Sequence, residues 1–289
     1  MECGVASPFP SLHTPHAKLH TYIMSIITNK QGTLEYLTAE GIIVPHCFTT
    51  RYGGVSTGSQ ASLNLALGRG DTMENVEKNI HILAGAIGFD PKKLVMTRQT
   101  HSDIVRVVTE KDAAGLCHRN YPECDALVTG TPGVALMIFT ADCTPLLLYD
   151  PVTGAVGAAH AGWRGTAKAI GAKTVEAMVR NFGCRPENIC AAIGPNIAQC
   201  HFETDADVPE AMRDAFGDEA EAFIEKRGGK YHLDLKGINA LVLRRAGVSH
   251  IEISDACTYC QSSRFWSHRA TNGQRGSQGA VIVCKEGTK

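Results

Sequence analysis

The sequence predicts an α+β fold, a single layered domain with mixed sheets, and three observations lead there. Apolar runs of strand length alternate with stretches of helical periodicity from Cys47 to Cys284. Several strands follow one another across brief turns such as Thr131-Pro132-Gly133 and Asp150-Pro151, too short for crossover helices, so the sheet cannot be purely parallel. No repeat, heptad or linker divides the 289 residues, a length that buries a core without disulfides.

In chain order, CFTTRYGGVSTGSQASLNLALGRGD begins at Cys47 as a strand and continues as an ordered loop, its Gly, Ser and Thr leaving too few apolar positions for a helix. Asp71 and Thr72 offer N-caps, Val76, Ile80, Leu83 and Ile87 recur at helical spacing, and Gly88 with Pro91 stops the pattern. KLVMTRQ and the alternating DIVRVV read as strands on either side of His101, which sits at their junction. A loop around residues 115–124 precedes the strands DALVTG, GVALMIFTADC, PLLLYD and GAVGAAHAG, the core of the sheet. One helix is expected from near Gly165, with Ile170, Val175, Met178 and Phe182 close to one face and Gly183 at its end. A strand at NICAAIG, helices at DVPEAMRDAF and DLKGINALVLRRAG, and strands at IEIS and AVIVC complete the order. Residues 1–24, with Met24 as an alternative start, are expected to be a flexible N-terminal extension, and 25–289 the folded domain.

Composition narrows the function. With 28 Lys and Arg against 29 Asp and Glu, a net charge of -1 supplies no field to attract nucleic acid, and a small-molecule substrate is expected instead. Eleven cysteines, an odd number, sit in apolar stretches such as ENICAAIG and AVIVC, as reduced thiols do in a cytoplasmic protein. The N-terminus lacks a charged region followed by an apolar core, and no run of about 18 apolar residues follows, so no membrane partner is expected.

Three segments place a potential metal ligand beside small or turn-forming residues at a strand end: RQTHSD at His101, TADCTP at Cys143 and AAHAGWRG at His160. Two imidazoles and a thiolate suit a borderline-soft ion such as zinc, and three protein ligands leave a coordination position open for chemistry. The separations match no short zinc-finger pattern. Taken singly, each residue also reads as an ordinary strand-end histidine or buried thiol.

Joined in order from about Pro45, the strings FTTRYGGVS…SLNL, QTHSD, CDALVTGTPGVAL…TADCTPLLLYDP, AAHAGWRGTAKAI, IGPNIAQCHFE, HLDL and CTYC resemble the laccase-domain purine nucleoside phosphorylase family, long labelled polyphenol oxidases. ADC with HAGWRG is the specific part. The resemblance implies an αββα-type sandwich and a metal, zinc or copper, on the histidine of QTHS, the cysteine of ADC and the histidine of HAGWRG, here His101, Cys143 and His160. It also implies phosphorolysis of adenosine, inosine, guanosine and methylthioadenosine, deamination of adenosine and, in some members, copper-dependent phenol oxidation. After CTYC the family's aromatic-basic stretch is altered to FWSHRATNGQRGSQGAV, a segment that could line the pocket.

Phosphorolysis needs an anion held and a departing base stabilised. Arg51, followed by Gly53 and Gly54, and Arg164, at an expected helix start, are candidate phosphate holders. Asn64 and Gln99 are candidates for ribose or base contacts, and Asp142 could orient a ligand from behind, although strand alternation aims it at the opposite face. Deamination would use the acidity that zinc confers on bound water, whose pKa falls from about 15.7 to about 7. Three other readings compete. A copper site could oxidise diphenols with oxygen, although no H-x-H occurs among the twelve histidines to build a trinuclear cluster. A non-catalytic binding protein would close the sphere with Cys257, Cys260 or His46. A cysteine hydrolase would pair Cys143 with His160 or His101.

Overall fold

The computed structural model describes residues 26–68, 70–113 and 122–285. The expected N-terminal extension and most of the loop at 115–124 lie outside the described residues. Strands β1 (Ile26–Gln31), β2 (Leu34–Ala39) and β3 (His46–Thr49) precede helix α1 (Met73–Ile87). Strands β4 (Leu94–Met96), β5 (Val105–Val107), β6 (Ala126–Thr129), β7 (Ala135–Thr140), β8 (Thr144–Tyr149) and β9 (Val156–Ala161) follow. Then come α2 (Trp163–Ala167), α3 (Ile170–Phe182), β10 (Cys190–Ile193), β11 (Glu203–Thr204) and α4 (Asp207–Phe216). Strands β12 (Ile224–Arg227) and β13 (Lys230–Leu233), α5 (Leu235–Arg245), β14 (His250–Ile253) and β15 (Gln278–Val283) end the order.

Two six-stranded mixed sheets carry the molecule, one ordered β1-β2-β3-β15-β7-β4 and the other β14-β10-β8-β9-β6-β5, beside a small sheet β11-β13-β12. Period-two alternation explains how the second large sheet serves two cores. Leu127, Leu147, Tyr149, Val156 and Ala158 pack toward the first sheet. The residues between them, Ala126, Val128, Leu146, Leu148 and Ala159, pack under α3 with Ile170, Val175 and Met178. Helix α1 lays Val76, Ile80 and Leu83 into the core that contains the first sheet. The layers are therefore helix, sheet, sheet, helix, the mixed-sheet α+β sandwich that the strand pattern predicts. No described helix is long and apolar enough to cross a membrane.

Helix α1 is capped as its sequence implies: the Thr72 side chain accepts from the Asn75 N–H, and Gly88 closes the other end at φ +85°. The single helix expected from near Gly165 is instead two, because Ala169 adopts φ +56° and breaks the run between α2 and α3. Neither the β1–β2 hairpin nor the small sheet is foreseen. Strand β1 is largely exposed and polar, and β11 has only two residues.

Candidate metal centre

The topology brings the three sequence-predicted ligands together. Strands β4 and β7 run parallel in the first sheet, so both leave it at the same end, and each chain connection then crosses to the second sheet. His101 lies in the crossing from β4 to β5, and Cys143 in the turn from β7 to β8. Strand β9 runs antiparallel to β8 with His160 opposite Pro145, two residues beyond Cys143. Alternation points His160 to the inter-sheet side that Val156 and Ala158 occupy. The donor atoms of His101, Cys143 and His160 all lie within 4.8 Å of one another.

Asp125, which immediately precedes β6 and is wholly buried, organises two of the three. Its carboxylate accepts His160 Nδ1–H at 2.8 Å, the N–H groups of Thr100 and His101 at 3.1 Å, and the N–H and Oγ–H of Ser102 at 2.7 Å each. Occupying Nδ1 leaves Nε2 of His160 to face the cleft. The other contacts hold the His101 loop in its left-handed conformation, φ 59°. Burial opposes the Asp125 charge, but the bonds from His160 and Ser102 outweigh it and keep the carboxyl well below its usual range.

Cys143 Sγ lies 3.9 Å from His101 Nε2. Burial raises the thiol, yet the His160 and His101 imidazoles overcome that and bring it down to about 6. The same attraction, with Asp125 behind, overcomes burial at His160 and lifts it to about 9. Gly162, just past β9, closes the arrangement: a Cβ there would stand 2.8 Å from His101 Cδ2 and 3.2 Å from Cys143 Sγ. Sequence reasoning passed over both Asp125 and Gly162. A carboxylate opening an otherwise apolar strand was the available signal for the first.

The ligands open into a cleft of about 280 Å³, lined also by Leu67, Gln99, Phe139, Arg275 and Ser277. Arg275 and Ser277 belong to the altered stretch after CTYC. They arrive because β15 pairs antiparallel with β7, Gln278 opposite Thr140, which sets the chain before β15 at the site end. Gln99 reaches the cleft with its amide clasped by the Phe139 N–H at 2.7 Å and carbonyl at 2.8 Å.

The other three expected substrate contacts stand away from the cleft lining. The Arg51 guanidinium bonds the carbonyls of Ala61 and Ser262 and stacks on Trp266 at 4.0 Å, which makes it a clasp between loops. Arg164 is exposed over Trp163. Asn64 is fully buried, donating to Asp71 and accepting from the Ala66 and Ser277 N–H groups, so it positions two cleft residues without entering the cleft. Asp142 faces away from the ligands, accepting from Thr258 Oγ1 and the Arg269 N–H.

Candidate fourth ligands are also elsewhere. Both ring nitrogens of His46 are engaged, by the Ala39 N–H and the Val44 carbonyl. Cys257 and Cys260 gather with Cys200 and His201. Among the described residues, the group at the cleft offers three potential ligands.

Comparison with known proteins places the fold in a family. Residues 45–285 match the family model described as multi-copper polyphenol oxidoreductase laccase. The chain is 46% identical to a purine nucleoside phosphorylase of Deinococcus radiodurans, covering 86% of this chain and 92% of that one. It is 36% identical to the purine nucleoside phosphorylase YlmD of Bacillus subtilis, covering 83% and 88%. The crystal structure of YlmD from Geobacillus stearothermophilus superposes with a TM-score of 0.85 at 34% identity, covering 90% of this chain and all of that one. The chain therefore belongs to the laccase-like family whose curated members are named purine nucleoside phosphorylases.

Proposed function

We propose that the cleft binds a purine nucleoside and inorganic phosphate and catalyses phosphorolysis, with a zinc ion held by His101, Cys143 and His160. One observation carries this reading. Three potential ligands of N₂S type converge on a cleft of about 280 Å³, and a buried arginine lines the same cleft. The donor set fits the ion: the sulfur is already biased to thiolate, and the Asp125 bond presents Nε2 of His160. Copper fits the same donors.

When bound, the ion supplies a Lewis-acidic centre with a position open to an oxygen of substrate or water. The chain's own residues do the rest. Arg275, fixed by the Gly276 carbonyl and Ser277 Oγ, meets the phosphate with a permanent charge, the role expected of Arg51 and Arg164. Phe139 and Leu67 offer the base an apolar wall. A phosphate oxygen forms a bond to C1′, the bond from C1′ to the base nitrogen breaks, and its electron pair leaves with the base, which takes up the proton that the hydrogen phosphate gives up. Ribose 1-phosphate and free purine result.

Phenol oxidation is the second reading, and the family description is what favours it. A multi-copper cluster needs more imidazoles than this: among the described residues, the two ligand groups hold three histidines in all. Protein prepared metal-free, zinc-loaded and copper-loaded separates the readings. Zinc-loaded protein is expected to release ribose 1-phosphate from inosine or adenosine only when phosphate is present, and Cys143→Ala to abolish it. Ammonia from adenosine without phosphate reports deamination at the same site. Oxygen uptake with a diphenol by the copper form, without ribose 1-phosphate from the zinc form, would overturn the proposal in favour of the oxidase.

A further inference from the structure

The CTYC segment does not line the cleft, yet its cysteines have company. Strands β10 and β14 run parallel, Ile193 beside Ile253, so the loops that follow them leave the second sheet at the same end. The pairing continues irregularly, with Asn196 bridged to Cys257 and the Thr258 N–H donating to the Asn196 carbonyl at 2.9 Å. A few residues further on, Cys200 and His201 on one loop meet Cys257 and Cys260 on the other. Cys200 Sγ lies 3.7 Å from Cys260 Sγ, and His201 Nδ1 lies 3.2 Å from both sulfurs. All four donors fall within 4.8 Å of one another. A tetrahedral zinc with bonds of about 2.3 Å to sulfur separates two of its sulfurs by about 3.8 Å, so the Cys200–Cys260 spacing is an edge of that polyhedron and not a disulfide.

We propose that Cys200, His201, Cys257 and Cys260 form a second metal site, a closed Cys₃His centre for zinc that holds the loops after β10 and β14 together. It differs in kind from the cleft. Four protein ligands complete a tetrahedron and leave no position for substrate, which is the mark of a structural centre. Its surroundings suit the charge. Three thiolates and a neutral imidazole around a divalent ion sum to one negative charge, and the buried Lys236 ammonium lies close enough to feel Cys257 and Cys200 along with Asp234 and Asp255. Lys236 Nζ is anchored on the carbonyls of Ser254 and Ala256. The Ala198 N–H points at Cys257 Sγ from 3.4 Å, as amides do toward ligating thiolates. Tyr259 stacks on His201 at 4.2 Å and fixes the ring plane.

This centre reaches the cleft mechanically. Thr258, between its cysteines, donates from Oγ1 to the Asp142 carboxylate at 2.6 Å. Arg269, whose guanidinium bonds the Glu203 carbonyl, donates its N–H to the same carboxylate at 2.7 Å. Asp142 sits at φ +90° immediately before Cys143, so the second centre braces the turn that presents the first centre's sulfur.

Zinc counting on the full chain tests the assignment. Wild-type protein is expected to hold two ions, Cys143→Ala one, Cys200→Ser/Cys260→Ser one, and the triple variant none. Cobalt(II) distinguishes the two: its thiolate charge-transfer absorption should survive in Cys143→Ala with most of its intensity, since three of the four ligating sulfurs remain. Alkylation of wild-type protein needs no variant. Cys200 and Cys260 are exposed in the fold, so zinc should shield both from iodoacetamide and chelation should expose them. Equal labelling with and without zinc, an unchanged metal count in the double variant, or a Cys200–Cys260 disulfide in protein purified without reductant would overturn the assignment, whatever the cleft turns out to catalyse.

Discussion

Asp125→Asn preserves the side chain's shape but removes a charge that accepts five bonds from the His160 ring and residues 100–102. An amide must turn at least one N–H toward donors, so His160 loses its tautomeric anchor and His101 its loop support. The expected result is a folded protein whose zinc affinity at the cleft falls about 10- to 100-fold, read by competition with a chromophoric chelator. Unchanged affinity would remove Asp125 from the site. The ligand pair also dictates a proton balance. In metal-free protein, Cys143 titrates at about 6 and His160 at about 9, so between those values the pair retains one proton, on His160. Zinc needs thiolate and neutral imidazole, and must therefore expel one proton from this pair across that window, two below it and none above it. Calorimetry of zinc binding in buffers of different ionisation heat measures this, with affinity rising with pH until His160 deprotonates; proton release that does not vary with pH would contradict it. The grouping of His101, Cys143 and His160 was legible because soft donors stand out beside turn residues. Asp125, Gly162 and Arg275 were not, because each acquires its role only from chain that arrives from elsewhere in the sequence.

Backbone conformation at one residue decides how α2 meets α3. Ala169, at φ +56° and ψ +42°, bends the chain so that α3 lies against β9 and β6 while α2 follows directly from Gly162. A left-handed conformation costs a residue with a Cβ about 1–2 kcal/mol, whereas glycine takes it freely at an unfolded-state entropy cost of about 0.4–1 kcal/mol. Ala169→Gly should thus stay within about 1 kcal/mol of wild type, while β-branched Ala169→Val should fall about 1–2 kcal/mol below the glycine variant. Urea midpoints compare the two; equal stability of the Gly and Val variants would show that the junction does not depend on this conformation. Periodicity reported α3's buried face faithfully but could not see this break, since alanine is the residue least associated with ending a helix. The same limit hid the hairpin of β1 and β2 and the three-stranded sheet. The exposed, polar or charged positions of β1 and β12 carry little apolar alternation, and pairing with a neighbouring strand, as β1 with β2 and β12 with β13, is what makes them strands. Where a strand is buried on both faces, as β8 and β9 are, a continuous apolar run announced it.

The cleft ligands join both halves of the sandwich. His101 and Cys143 lie on the connections that leave the first sheet for the second, and His160 lies on the second sheet itself. Separating the sheets would pull the ligands apart, so an ion at the cleft binds the native state and not the unfolded chain. Its binding free energy then adds to global stability, by about 2.7 kcal/mol when free zinc is 100 times its dissociation constant. Isolating that contribution requires a background without the proposed second centre. In Cys200→Ser/Cys260→Ser, zinc should raise the thermal midpoint of the whole transition by several degrees, chelation should reverse it, and added Cys143→Ala should abolish the response. The inter-sheet core of Leu127, Leu147, Val156 and Leu136 is shared by both sheets, so far-ultraviolet circular dichroism and tryptophan fluorescence should shift together. A zinc response in one signal alone would mean that the metal stabilises a local loop and leaves the sandwich indifferent. In that case the crossings of β4 to β5 and β7 to β8 would hold their ligands without coupling them to the fold.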